Sequence, residues 1–424
     1  MPISGERGWL RMDWDQNQML QMRPRPLALH LSTAMTSMMS SLAALPSARN
    51  NSLPWLPELK QTAAALTVEL GGCDEAPLFQ AVAAECQNRL AAMLKGVRSY
   101  QEAERPHRGR SVGQEIWSHG GTRLLDYGGT GRPVLFVPSL INGAHILDLT
   151  PERGLLTWLR GEGLRPYLLD WGTPGEAERR FTLDDYICGR LSAALDAVRE
   201  TDARAPALVG YCMGGNLALA LALRRQDDLA GLALLATPWD FHAGGPQGPM
   251  LKTLAPGLDG LLRAFGVLPV DVLQALFAAL DPGLAQRKFR HFSTLDPKSA
   301  EAAHFVALED WVNDGMPLAA AVARECLLGW YDETNPGQGL WRVAGQTVDP
   351  GALRLPALVA IPENDRIVPA ASAQALGDAV ADAVGDVPVI RPAAGHIGMV
   401  VGRRAKSQLW RPLLNWLVQP RAAI

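Results

Sequence analysis

Residues 207–223 read ALVGYCMGGNLALALAL, and the rest of the chain takes its meaning from them. Ala207, Leu208 and Val209 form a short apolar run of the kind that ends a buried strand. Gly210 to Gly215 follow as G-Y-C-M-G-G, and small and apolar residues of helical character continue beyond them. Strand, sharp turn and helix put one nucleophilic side chain, Cys212, at the apex. The glycines have a physical reason, since a side chain two positions from such an apex would strike the crossing strand or helix. The turn also aims the backbone N–H of Met213, at a helix N-terminus, toward an oxyanion above Cys212. Free cysteines are mostly small core hydrophobes, and Cys73, Cys86, Cys188 and Cys326 are read that way. Cys212 is set apart by a glycine frame that a core cysteine does not need.

A length of 424 residues suits one large domain with additions, or two domains. Hydrophobic content of 48% and a charged fraction of 20% are those of a globular protein. A net charge of −3 gives no footing for nucleic acid or an anionic membrane. No apolar run reaches the roughly 18 residues of a membrane span. Glu6, Asp13 and Asp15 precede any apolar stretch, unlike a secretory leader, so a cytoplasmic location is expected. Five scattered cysteines without CxxC spacing argue against a disulfide framework or a metal site.

Pro24, Pro26, Pro46, Pro54 and Pro57 break any long helix and predict an irregular stretch up to about residue 58, part of it open to a short helix. Helical periodicity follows from Leu59 to about Leu70 and from Pro77 to about Val97, and residues 102–114 read as a polar linker. Short apolar runs then mark strands at Val134–Val137, Tyr167–Leu169, Ala207–Val209, Leu232–Leu235, Ala357–Ile361 and Val387–Ile390. Helical stretches between several of them predict an α/β fold with a mostly parallel, doubly wound sheet. The interval from Ala236 to Arg354 is helix-rich, at Leu258–Phe265, Val270–Leu280, Pro297–Asn313 and Pro317–Trp330, with no strong strand. It reads as a helical cap. The expected organisation is an N-terminal extension (1–114), a first core half (115–236), the cap (237–353) and a second core half (354–424).

G-x-C-x-G-G is the nucleophile elbow of the α/β-hydrolases with Cys in place of Ser. Such a site needs an acid and then a histidine later in the chain. His242, His291 and His304 fall in the cap, whereas His396 follows the last strand in AAGHIGMVVG, between Gly395 and Gly398. The acid is expected just after strand Ala357–Ile361, where Asp365 is the choice and Glu363 the competitor. A free thiol of pKa about 8.5 is mostly protonated at neutral pH, so His396 is needed to generate thiolate. Asp365 would fix the imidazole tautomer. A thiol attacking a thioester makes another thioester, a near-isoenergetic exchange suited to acyl transfer.

With these residues in view the chain resembles the polyhydroxyalkanoate synthases over roughly residues 95–420. PSLINGAHILDL (138–149), LDWGTP (169–174), TLDDYI (182–187), DRIVP (365–369) and GHIGMVVG (395–402) are similar to that family's segments and stand in its order, with a weaker echo in WYDETN (330–335). The resemblance implies that Cys212 carries a hydroxyacyl chain as a thioester, activated by His396 with Asp365 assisting. It implies an oxyanion hole from the N–H groups of Met213 and Ile141, with Asn142, His145 and Tyr211 as candidate substrate contacts. It further implies (R)-3-hydroxyacyl-CoA as substrate, no separate cofactor or metal, and a homodimer on polyester granules. The chain departs from the pattern at Gly143, Ala144 and His145 after the Asn, at Asn216 after the elbow, at Arg366 and at Ala394. His145 is either a structural substitute for an aromatic or a polar contact to substrate. A thioesterase or esterase with the same triad is the alternative. A non-catalytic scaffold is a third reading, which the complete nucleophile–acid–histidine order opposes.

Overall fold

The structure, a computed structural model, describes residues 20–105, 112–244 and 247–419, except the side chains of residue 58 and residues 247–252. By compactness the chain divides into two units. One comprises residues 20–104 with Pro282–Val306, the other Arg105–Asp281 with Ala307 to the described end.

The first unit is helical. Leu27–Arg49 is a single helix of 23 residues, which corrects the expectation that the prolines up to residue 58 leave room for a short helix at most. Pro24 and Pro26 precede it, where a missing N–H costs nothing, and Pro46 falls in its closing turns. The proline count was therefore the wrong signal. The two expected helices occur as Lys60–Gly71 and Glu75–Glu102. Met93, Val97 and Tyr100 of the latter bury against Phe289 and Phe292 of helix Leu284–Phe292. Gly96 permits that approach, since a Cβ there would run into the Phe289 carbonyl.

The second unit is built on an eight-stranded sheet. In chain order the strands are β1 (Gln114–His119), β2 (Thr122–Asp126), β3 (Pro133–Val137), β4 (Arg165–Asp170), β5 (Ala207–Tyr211), β6 (Gly231–Leu235), β7 (Ala357–Ala360) and β8 (Val389–Ile390). Their order across the sheet is β1-β2-β4-β3-β5-β6-β7-β8. From β3 to β8 the strands run parallel, and β1 and β2 add an antiparallel edge. The expectation had no strand before Val134. The β1–β2 hairpin turns on Gly120–Gly121, with Gly120 at φ +60°.

Every residue of β3, β5, β6 and β7 is buried, because helices cover both faces. Leu135, Leu208 and Val359 point into a cluster shared with helices Ser192–Thr201, Met213–Arg224 and Ala370–Val384. Phe136, Val209 and Leu358 point the other way, onto Leu155–Gly161 and Arg411–Val418. Each such Leu or Phe is worth roughly 1.5–3 kcal/mol of burial. β4 and β5 lie on opposite sides of β3, so the chain reverses direction across the sheet there. That switch point opens a crevice at the carboxyl ends of β3 and β5.

The cap stretch is helical at Gln247–Phe265, Val270–Leu280, Ala300–Asn313 and Ala320–Arg324, the last continuing as wider turns to Trp330. It also holds two small ladders that the sequence did not suggest, Val267–Leu268 with Leu318–Ala319 and Arg342–Val343 with Gln346–Thr347. The described linker residues contain neither helix nor strand from Ala103 until Gln114. Among the described residues no helix is long and apolar enough to cross a membrane. Cys326 is buried as expected of a core thiol, but Cys73 and Cys188 are exposed.

Candidate active site

β5 delivers Cys212 to the crevice at φ 56°, ψ −132°, a left-handed backbone that a β-substituted residue adopts only under constraint. The constraint is visible. The Cys212 N–H donates to the Leu235 carbonyl at 2.8 Å, and its own carbonyl accepts from Gly215 N–H at 2.9 Å. A Cβ at Gly210 would collide with Gly215, one at Gly214 with the carbonyls of Val137 and Pro138, and one at Gly215 with Thr237. The elbow glycines are thus required by close approach.

β7 and β8 carry the other two members. Past the strands their chains stay zipped: Ile361 N–H donates to Ile390 O, Glu363 to Pro392 O and Asn364 to Ala394 O, at 2.8–3.0 Å. This pairing sets the Asp365 loop beside the His396 loop. Asp365 Oδ2 accepts from His396 Nδ1 at 2.6 Å, with the side chains 0% and 6% exposed. Asp365 Oδ1 accepts from the N–H groups of Ile367 and Val368 at 2.8 and 2.9 Å, which locks the carboxylate. Glu363, the competitor, is exposed, and it is Asp365 that meets His396. With Nδ1 committed, Nε2 is left for the hydrogen bond between His396 and Cys212. Burial acts to lower the His396 pKa. The negative charges of Cys212 and Asp365 and the hydrogen bonds to both outweigh it, and the imidazole is pushed up to about 10.

The backbone donors expected around the oxyanion differ in state. Met213 opens its helix, where N–H groups lack an internal acceptor. The Ile141 N–H donates to Ser139 Oγ at 3.2 Å and would have to exchange that partner for a substrate oxygen. Ile141, Cys212 and Met213 share the wall of a cavity of about 820 Å³, its mouth included. Leu273, Leu276, Phe277 and Leu280 of one helix face them, with Phe241 and Trp330.

Three candidate substrate contacts lie off this wall. Tyr211 is 3% exposed on the opposite face of the sheet, where its hydroxyl donates to the His396 carbonyl at 3.2 Å. It supports the histidine loop instead of meeting substrate. Asn142 donates to the Trp311 carbonyl at 3.5 Å, and Trp311 Nε1 returns a bond to Gly143 O at 2.7 Å. His145 is exposed and does not line the cavity. A residue the sequence did not single out does line it. Tyr331 belongs to the WYDETN stretch, whose family echo was the available signal. Burial, and then the charges of Cys212, Cys326 and Asp365, hold its phenol well above the usual range.

A family model described as alpha/beta hydrolase fold matches residues 132–402. A poly(3-hydroxyalkanoate) polymerase subunit PhaC of Haloferax mediterranei is 29% identical over 73% of this chain and 64% of its own length. A PhaC subunit of a Synechocystis species is 30% identical over 67% of this chain and 77% of its own. This chain therefore spans less than two thirds of the first relative and more than three quarters of the second. Among solved structures, a monoacylglycerol lipase of Paleococcus ferrophilus overlaps 70% of this chain and 98% of its own at 18% identity and a TM-score of 0.45, too distant to carry an argument. The elbow at the sheet's switch point and the agreement with PhaC sequences meet in one conclusion: the chain belongs to the α/β-hydrolase superfamily and, within it, to the PhaC family of poly(3-hydroxyalkanoate) polymerases.

Proposed function

We propose that the protein is an acyltransferase that takes the acyl group of an (R)-3-hydroxyacyl-CoA onto Cys212 and passes it to a hydroxyl, building polyester. His396 accepts the thiol proton, and the thiolate attacks the thioester carbonyl. The N–H groups of Met213 and Ile141 stabilise the tetrahedral oxyanion. Collapse breaks the bond to CoA sulfur, and the departing thiolate takes the proton from the His396 imidazolium. In the second half His396 removes the proton of an incoming 3-hydroxyl, whose oxygen attacks the acyl-Cys212 thioester. An ester forms and Cys212 leaves. Asp365 holds the imidazole tautomer and the imidazolium throughout.

The observation that carries this reading is the placement of Cys212, with its Asp365-paired histidine, on the wall of an apolar cavity. Apolar walls disfavour the water that hydrolysis needs and favour an acyl chain. The test is a paired assay on (R)-3-hydroxybutyryl-CoA that measures free CoA and separates the acyl product. CoA with insoluble polyester is expected. CoA with free hydroxyacid alone would make the protein a thioesterase, and no CoA would remove the acyl-CoA reading. A cytoplasmic location, a homodimer and association with polyester granules belong to the same proposal. Sedimentation with and without polyester particles tests the last two.

A further inference from the structure

The cavity beside Cys212 is walled almost wholly by hydrocarbon, and the Tyr331 phenol is the one hydroxyl among its lining residues. The ring is held in place, meeting Phe241 edge-on with centroids 4.7 Å apart. Its backbone N–H donates to the Cys326 carbonyl at 3.1 Å. Among the described residues nothing hydrogen-bonds the phenol oxygen. That oxygen is not sealed in the core either, unlike the neighbouring Trp330 indole N–H, which is buried without an acceptor. A fixed and unengaged hydroxyl thus belongs to a residue on the wall that carries the nucleophile.

A hydroxyacyl thioester brings two polar groups into that space. The carbonyl oxygen goes to the backbone donors at Met213 and Ile141. The 3-hydroxyl, two bonds further along the carbon chain, leaves water for apolar walls and needs a partner of its own. We propose that Tyr331 recognises this 3-hydroxyl by a hydrogen bond and thereby selects hydroxyacyl over plain acyl thioesters. The inference rests on the acyl-transfer reading of Cys212 and deepens it. Tyr331 is a specificity-determining residue in this scheme, and the chemistry at sulfur does not pass through it. A substrate lacking the hydroxyl covers the phenol without pairing it, which is worth roughly tenfold to a hundredfold in rate.

Single-turnover release of free CoA, measured in quenched samples on the full chain with (R)-3-hydroxybutyryl-CoA and with butyryl-CoA, tests this directly. Acylation of Cys212 does not require the 3-hydroxyl, so both substrates report the same step. Wild type is expected to prefer the hydroxyacyl substrate by roughly tenfold or more. Tyr331→Phe should bring the ratio near one by losing rate on the hydroxyacyl substrate alone. A preference that survives in Tyr331→Phe would overturn the assignment. So would an equal loss on both substrates, which would mark a packing role, or a wild type that does not discriminate. If wild type acylated from neither thioester, the acyl-transfer reading would fall and take this inference with it.

Discussion

Replacing Asp365 by Asn exchanges one carboxylate oxygen for an NH2 group and tests the pairing at the centre of the site. The Asp365 side chain is fully buried, accepts from Ile367 and Val368 through Oδ1, and accepts from His396 Nδ1 through Oδ2. In Asp365→Asn the two backbone donors still require an acceptor, so the amide oxygen takes the Oδ1 position. The amide nitrogen, a donor, then faces His396 Nδ1. The imidazole must present a lone pair there and carry its proton on Nε2, toward Cys212. A histidine in that tautomer has no basic nitrogen for the thiol. The loss expected for a wrong tautomer is about 10³–10⁴ in kcat, or about 4–5.5 kcal/mol at 1.36 kcal/mol per decade. Steady-state CoA release measures it, and circular dichroism checks that the isosteric change leaves the fold intact. Glu363→Gln, at an exposed position, should stay within about twofold, as surface substitutions do. The reasoning is refuted if Asp365→Asn keeps a tenth of the wild-type rate, or if Glu363→Gln is the damaging variant.

Gly214→Ala should destabilise by at least about 3 kcal/mol and abolish CoA release, because its Cβ meets backbone carbonyls that cannot rotate away; a denaturant midpoint equal to wild type would contradict this. Tyr211→Phe removes the bond to the His396 carbonyl and should cost about 1 kcal/mol of stability, read in urea, with a lowered kcat and little change in KM. His396, raised from 6.5 to about 10, binds its proton more tightly folded than unfolded. Its contribution to stability is therefore full below about pH 6.5 and lost as pH rises through about 10. The melting temperature should fall over that window, and His396→Gln should flatten the fall while preventing acylation.

What was legible in the sequence was local or fully buried. G-Y-C-M-G-G carries its own geometry, and β3, β5, β6 and β7 are continuous apolar runs because helices cover both faces. The β1–β2 hairpin carried a signal in Gly120–Gly121, a two-residue turn that its mixed polar flanks obscured. Helix Leu27–Arg49 was hidden by counting prolines without regard to their position at its ends. The acid and histidine could be named from chain order, but the ladder that brings their loops together involves carbonyls and N–H groups, to which side-chain identity is blind. Tyr211 shows the same limit. Strand alternation sends it to the face of Val209, beneath His396, although it adjoins Cys212 in sequence. Tyr331 reaches the cavity through the fold of the cap, over a hundred residues from the elbow.

The departures from the family pattern sit around the reacting groups and leave them in place. Ala394 stands in place of a doubled glycine, yet its φ is not positive, and its carbonyl accepts the Asn364 N–H that joins the acid and histidine loops. Nothing at that position needs glycine. Arg366, next to the acid, turns outward and pairs with Asp281 at the end of helix Val270–Leu280, the helix whose Leu280 lines the cavity. Gly143 gives its carbonyl to Trp311, and Asn216 donates to the Pro238 carbonyl at 2.7 Å behind the elbow. The changes at Arg366 and Asn216 therefore bear on how cap and loops are fastened near the cavity, while Cys212, His396 and Asp365 keep their mutual geometry. In an acyltransferase such changes act on which acyl groups enter and how a chain leaves, quantities read in KM and product length. The acylation step itself should proceed as the triad dictates.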